Sequence, residues 1–443
     1  MVINETGKDG IDRLHMLILQ LTIIATYYSK IIYIAPFLFL ISSFTLWMAI
    51  IDPNPIPNIT LESPLYTCGQ TTPPTLPVHD FFGEKPYPVG RLLWSADPQS
   101  SDFVPTDNEH VRKCMRRAAE IHRQVRTYAR SVLKVGVSMY SAAEDIEARI
   151  RLLCGHSKDE FCTYKPDDNT WCAQAFPLGL SYNHCAAHYT PIKHDDHVIA
   201  EKDIIKVDFG VHCDGYIIDS AFTIHFDPTL DPLAQASLEA TTEAIKLAGP
   251  DVLISELGNK IEEIICSYEV DYKNQNAPVK LQPVRNLSGH MVGKYKIHSG
   301  KSIPNCRGKG KEYGRMLEGE TFACETFAST GRGMIADEYP VSHYMVSSKS
   351  MSLQPAFIKG PEMAKKLFTK LRTMFGTLAW SPRTLEAMGE KNFQLALDTL
   401  VKNGVVNAYP KLSDKSGCHT SQFEHTFMVG SGGTEVFSAG DDY

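Results

Sequence analysis

Asp208 and Asp219 stand on either side of Asp214-Gly215, a dipeptide favoured in tight β-turns, within a segment from Ile204 to Phe226 that alternates apolar and polar residues. With Asp214-Gly215 as a two-residue turn, Cys213 faces Tyr216 and Asp208 faces Ala221. Strand parity then puts both aspartates on one face as diagonal neighbours, roughly 7 Å apart at Cβ. Two carboxylates that close, in a mostly apolar strand pair, repel each other and are costly to bury, and a bound cation is the simplest way to satisfy them. At that spacing one carboxylate bridges two metals while the other chelates one. His290 after Gly289, Glu325 in TFACETF and Glu424 in QFEHTF are further acids or imidazoles inside strand-like segments. Taken singly, each reads as an ordinary surface or core residue; their value lies in company.

The elements that must position these groups follow from periodicity. Thr106 with Glu109 forms a capping-box pattern, and Val111, Met115, Ala118, Ile121, Val125, Tyr128 and Val132 then recur at helical spacing up to Gly136. Arg112, Lys113, Arg116, Arg117, Arg123, Arg126 and Arg130 of this helix are expected on a solvated face, with RNA contact as the alternative. A second helix is expected over about Ser141 to Cys154, and two more over Leu230 to Ala248 and Leu253 to Tyr268. A polar loop joins the second helix to Trp171. Residues 359–404 read as two amphipathic helices: Pro361 opens the first, while Ser381-Pro382 opens the second, which Gly404 ends. Nine Lys or Arg against four Asp or Glu over about residues 345 to 410 leave a small nucleic-acid-binding module as a rival reading there. The class is α+β, with antiparallel strands and helices packed on one face.

The 443 residues suffice for one large domain or two to three modest ones, and a net charge of −7 excludes a surface built wholly for nucleic acid. Eleven cysteines, scattered singly with no CxxC pair, predict reduced thiols rather than a zinc finger or a disulfide framework. The apolar stretch from Leu14 to Ile51 is long enough in its second part to span a bilayer. Residues 1 to 60 are therefore set apart as an apolar segment, a membrane anchor or a mis-assigned start. Residues 61–105, rich in Pro, Ser and Thr, read as an extended lead-in to a catalytic body over 106–443, with a helical insert at about 347–410.

The order Asp208, Asp219, His290, Glu325, Glu424, in these contexts, resembles the methionine aminopeptidase family. The resemblance runs from about Gln70 to Tyr443 through QTTPPTLP, HRQVR, AFPLGLSYNHCAAHYTP, IKVDFG, IIDSAF, RNLSGH, YKIHSGK, CETF, SHYM, SQFEHT and GDDY. It implies the pita-bread fold, an antiparallel sheet flanked by helices. The five residues would hold two divalent metal ions (Mn, Co, Fe or Zn), with Asp219 and Glu424 bridging. The helical insert resembles the type 2 branch. By matching motif, His188, Glu325 and His298 are the expected catalytic residues, and Phe176, His188, Ile297, His298, His343, Ala379 and Tyr409 the expected substrate pocket. The implied activity is removal of initiator methionine from nascent polypeptide N-termini when the second residue is small. The implied partners are nascent chains and the ribosome, with no sequence-specific nucleic acid. The chain is expected to be a monomer in the cytoplasm, with membrane contact through residues 14–51. A prolidase or proline aminopeptidase, or a non-catalytic RNA- or ribosome-binding relative, is the alternative.

Overall fold

The hairpin is the organising element. In the computed structural model, which describes residues 70–93, 109–272, 276–308, 313–431 and 433–443, strand β4 (Ile204–Cys213) returns as β5 (Tyr216–His225). Cys213 pairs with Tyr216 and Asp208 with Ala221, the register expected from the turn. Asp214 and Gly215 both take the left-handed conformation (φ 51° and 78°) that such a turn demands.

Around it the chain runs α1 (Val78–Phe82), β1 (Arg91–Leu93), α2 (Glu109–Val132), α3 (Met139–Leu153), β2 (Cys172–Tyr182) and β3 (Cys185–Ala187) before the hairpin. After it come α4 (Asp231–Leu247), α5 (Ile254–Ser267), β6 (Glu269–Val270), β7 (Val279–Lys280), β8 (Gln282–Pro283), β9 (Ser288–Met291), β10 (Ser302–Pro304), β11 (Thr321–Ser329) and β12 (Ala336–Val346). The insert supplies α6 (Glu362–Phe375), β13 (Ala379–Trp380), α7 (Pro382–Ala387) and α8 (Gln394–Lys402), and β14 (Val406–Ser413), β15 (Thr420–Gly430) and β16 (Gly433–Val436) close the fold. Among the described residues, three antiparallel sheets matter here: β1-β16-β15-β11-β9-β10 with β8 on β11, β13-β12-β14-β3, and β2-β4-β5.

The lead-in reads as extended and mostly irregular, and its described part holds the short helix α1 and the edge strand β1, where Arg91 to Leu93 pair with Val436 to Thr434. A three-residue strand has too short a pattern to stand out among prolines and serines. The apolar stretch at 14–51 and Thr106 of the capping box lie outside the described residues, and no helix among the described residues is long and apolar enough to cross a membrane.

Helices α4 and α5 bury Leu233, Ala236, Ala240, Ala244, Leu257, Ile261 and Ile265 at three- and four-residue spacing against Phe322, Cys324, Ala328 and Phe427 of the sheet. The interface is also stitched by hydroxyls. Thr241 Oγ1 donates to Phe423 O (2.9 Å), Thr326 Oγ1 to Ser237 O (2.8 Å) and Ser421 Oγ to Leu233 O (2.7 Å). Each buried hydrogen bond contributes about 1 kcal/mol, but leaving one partner unmatched costs about 1–3 kcal/mol, so the network fixes register more than it adds stability. By strand parity, Thr326, Ser421 and Phe423 face α4 while Glu325, Gln422 and Glu424 face the hairpin.

The arginines of α2 are not on a solvated face. Arg112, Arg123 and Arg126 are buried. Arg112 and Arg116 converge on the fully buried Glu435 carboxylate, Arg123 pairs with Glu120 at 2.8 Å and donates to Phe437 O, and Arg126 donates to Ser438 O. The helix is basic because its inner face grips a buried acid and the carbonyls of the closing segment, a role that charge counting alone cannot separate from a solvated stripe. His122, between them, stacks on Phe209 (3.9 Å between ring centroids) and lies 2.9 Å from Phe209 O, holding the backbone beside Asp208.

The cysteines also depart from expectation. Cys172 and Cys213 form a disulfide across β2 and β4, where they are register partners with Cα atoms 4.0 Å apart. That pairing depends on which strand lies beside β4, which spacing along the chain does not reveal. The remaining described cysteines are free thiols.

The insert is a separate apolar cluster of Phe368, Leu371, Phe375, Trp380, Leu385, Phe393, Leu397 and Leu400. Its second expected helix is broken in two. Ser381 caps α7 through Thr384 N, and Gly389 (φ 81°) and Asn392 (φ 55°) then turn the chain before α8 begins.

Candidate active site

The acids converge from two sheets, Asp208 and Asp219 from the hairpin and Glu325 and Glu424 from the sheet that also carries His290. Glu325 and Glu424 are direct register partners on β11 and β15, and His290 on β9 pairs with Ala323, two residues from Glu325 on the same face. The hairpin packs onto this sheet through its own side chains. Ser220 Oγ donates to Glu424 O (2.7 Å), Thr223 Oγ1 to Gln422 O (2.7 Å) and Thr426 Oγ1 to Asp219 O (2.6 Å), while Asp219 N donates back to Thr426 Oγ1 (2.8 Å). These bonds set Asp219 against His290, with Oδ2 3.6 Å from Nε2, and Glu325 Oε1 lies 3.8 Å from the same nitrogen. Donor atoms of Asp219, His290 and Glu424 all lie within 4.8 Å of one another. Gly289 lets the strand approach: a Cβ there would fall 2.6 Å from Ala323 O.

Electrostatically the group is incomplete as protein alone. Burial pushes the Asp208 carboxyl up to about 6. Burial and then the neighbouring acids push Asp219 and Glu325 well above the usual carboxylate range, and Glu424 likewise. Burial, with His298 beside it, pulls His290 down to about 3, so its ring is neutral at physiological pH. Asp208 Oδ1 and Glu424 Oε1 are buried without a hydrogen-bond partner. Like charges this close cannot ionise together without a counterion, and hard oxygen donors with one imidazole suit first-row divalent metals. The residues therefore fit a divalent metal centre. His290 Nδ1 lies 3.4 Å from Met291 O, leaving Nε2 turned toward the carboxylates.

A cavity of about 250 Å³ opens from these acids and is lined as well by Phe176, His188, Ile297, His298, His343, Ala379 and Tyr409, so every residue expected from the sequence borders one space. Phe176 lies against Gly210, where a Cβ would meet its ring at 2.3 Å. His188 takes a left-handed φ of 62°, a strained conformation for a side-chain-bearing residue. Ser342 sustains it: its Oγ donates to His188 O (3.1 Å), accepts from Thr190 N (3.1 Å) and lies 3.1 Å from His343 Nδ1. Burial, with His298 nearby, lowers His188 to about 4; burial, with His188 nearby, lowers His343 to about 3; burial alone lowers His298. All three rings are neutral at pH 7. The His188 ring opens onto the cavity, so the protein mass around it rather than full enclosure causes the shift.

Sequence reasoning missed Gln422, whose Nε2 donates to Asp208 Oδ2 (3.1 Å) and approaches Glu325 Oε2 (3.4 Å). Its signal was available: it precedes Glu424 by two in a strand and so shares its face. Met345 and Leu287 also line the cavity. As apolar residues in strand-like surroundings they carry no mark of a pocket.

Antiparallel strands presenting four carboxylates, two buried and two part-buried, and a neutral imidazole to one cleft define a metal-dependent hydrolase. Residues 113–347 match the model of metallopeptidase family M24. Methionine aminopeptidase 2-2 of Leptosphaeria maculans is 42% identical over 382 residues, covering 85% of this chain and 82% of that protein. Methionine aminopeptidase 2 of Paracoccidioides brasiliensis is likewise 42% identical, over 84% of this chain and 83% of that one. The chain belongs to metallopeptidase family M24 and, within it, to the methionine aminopeptidase 2 proteins. Its pita-bread fold is shared at 17% identity with the structure of a thermophilic Arx1, with a TM-score of 0.62 over 75% of this chain and 91% of that one. Divalent metal ions are its cofactor.

Proposed function

We propose that this chain releases the initiator methionine from nascent polypeptide N-termini whose second residue is small. The observation that carries the reading is one cavity lined jointly by the acid cluster, three histidines and apolar side chains. Asp208, Asp219, His290, Glu325 and Glu424 would hold two divalent ions. When bound, the ions acidify a shared water and polarise the scissile carbonyl.

The chain's own groups do the rest. Glu325, which borders the cavity beside His290, takes the proton of the attacking water as a carboxylate and passes it to the leaving amine. His188, neutral at working pH, has one N–H to donate and one lone pair to accept, and steadies the scissile amide. His298, with its ring 4.2 Å from that of His290, and His343 border the substrate's path. Phe176, Ile297, Ala379 and Tyr409, with Met345 and Leu287, enclose an apolar slot suited to a flexible thioether. The substrate's free α-amino group would lie among these groups, which favours a terminal residue over an internal one.

The test is release of methionine from Met-Ala-Ser by the metal-stripped chain resupplied with Mn²⁺ or Co²⁺, beside Met-Glu and proline-initiated peptides and an Asp219→Asn variant. Metal-dependent cleavage of Met-Ala-Ser alone, lost in the variant, is expected. Cleavage next to proline would replace the reading with a prolidase, and no cleavage with any metal would remove the enzyme.

A further inference from the structure

At the opposite end of the hairpin, His110 and Cys114 of α2 and Asp214 of the β4–β5 turn bring an imidazole, a thiol and a carboxylate together, with one donor atom of each within 4.8 Å of the others. His110 Nε2 is 2.8 Å from Asp214 Oδ2 and 3.5 Å from Cys114 Sγ. The sequence builds this directly. His110 and Cys114 are four apart and share a helix face. Asp214 is held in the left-handed turn, with its N–H donated to Trp171 O at 2.8 Å. Its carboxylate is buried, and only 2% of the residue is exposed. The Lys294 ammonium is 2.7 Å from Oδ1 but not aligned as a hydrogen-bond donor to it, so charge rather than directional bonding holds that oxygen. His110 is part-exposed, giving an ion a way in.

We propose that His110, Cys114 and Asp214 form a second, non-catalytic site for a zinc-type divalent ion, which ties the start of α2 to the turn of the hairpin that carries Asp208 and Asp219. A tetrahedral ion with bonds of about 2.0 Å to nitrogen or oxygen and about 2.3 Å to sulfur separates N from S by about 3.6 Å and N from O by about 3.3 Å. The first separation is already met, and the second needs about 0.5 Å of opening. Lys294 occupies Oδ1 and leaves Oδ2 to the ion, and water completes the shell. Burial and the Asp214 charge hold the Cys114 thiol up at about 11, so binding must displace its proton: thiol and M²⁺ give metal thiolate and one H⁺ released to solvent. A thiolate selects zinc and cobalt over manganese and magnesium, whereas the carboxylate-rich catalytic group has no sulfur. The two sites therefore differ in kind, and this proposal stands independently of the proposed activity.

The difference supplies the experiment. The full-length chain, first saturated with Mn²⁺, is titrated with Co²⁺ and followed in the near ultraviolet, where a thiolate-to-cobalt charge-transfer band arises from cysteine ligands alone. One equivalent generating the band is expected, with loss of the band in Cys114→Ser and its retention in Cys266→Ser, which removes an exposed thiol. His110→Ala changes a part-exposed residue outside the catalytic cavity; it should weaken apparent cobalt affinity by ~10-fold or more while methionine release is unchanged. A wild-type chain without the band, a band that survives Cys114→Ser, or an affinity indifferent to His110→Ala would each overturn the proposal.

Discussion

The helical insert and the hairpin region hold themselves together in opposite ways. The insert is held by apolar burial, with Phe368, Trp380 and Leu400 fully enclosed. The hairpin and β15 meet through Ser220, Thr223, Thr426 and Gln422, whose side chains bond backbone or carboxylate across the layer. Hydrophobic burial is non-directional and tolerates sliding. Hydrogen bonds to fixed carbonyls do not. A site in which Asp219 must meet His290 within a few tenths of an ångström needs the second kind of contact, and a wall of the substrate slot can be built with the first.

That contrast can be broken at several points. The largest effect is expected at the acids: Asp219→Asn should lower kcat/KM for Met-Ala-Ser on the order of 10³-fold or more, equivalent to about 4 kcal/mol of transition-state stabilisation, with the fold intact by circular dichroism. Next, Phe368→Ala should destabilise the protein by about 3–5 kcal/mol in urea unfolding. Its kcat should change less than its stability, because the residue touches no acid.

Asp208→Asn tests the strain among the carboxylates in the metal-free protein. The Asp208 carboxyl is raised to about 6 in the folded state. It therefore contributes stability fully present below its unfolded value near 4 and lost as pH rises through about 6. The variant has no such loss, so its melting temperature relative to the metal-free wild type should climb between pH 4 and 7. The gain should approach about 3 kcal/mol at pH 7, and an unchanged difference across that range would remove this account.

Thr426→Val deletes the hydroxyl between the layers and leaves Asp219 N without its partner, at a cost of about 1–3 kcal/mol. Here catalysis should suffer at least as much as stability, the reverse of Phe368→Ala. Smallest of all, Lys370→Ala removes a half-exposed ion pair with Glu390 on the insert and should cost under about 1 kcal/mol, with activity unchanged.

Much of this was legible in the chain because the determining patterns are local. The Asp214-Gly215 turn fixed strand register, and register fixed the shared face of Asp208 and Asp219. The spacing of Leu233, Ala236 and Ala240 gave α4 its inner side. What stayed hidden depends on which distant segments become neighbours. Cys172 reaches Cys213 only because β2 lies beside β4, and Glu435 turns the arginines of α2 inward from the far end of the sequence. The brevity of β1 and the break between α7 and α8 concern a few residues each, too few for a period to register. His188, Tyr409 and Ala379 became pocket residues through resemblance of their motifs rather than through any pattern of their own.

The strands on either side of the insert, β12 and β14, pair directly, Val346 with Val406. Topologically the whole insert is thus an enlarged hairpin loop, entering and leaving the body at points one strand spacing apart. Through Ala379, paired with Met345, this loop also contributes one residue to the lining of the cavity that holds the acids. One wall residue of the cavity is consequently housed in a module that can lengthen, shorten or be exchanged without disturbing the register of any acid. Evolution and protein engineers alike have a place to retailor selectivity while the hydrolytic chemistry stays as it is.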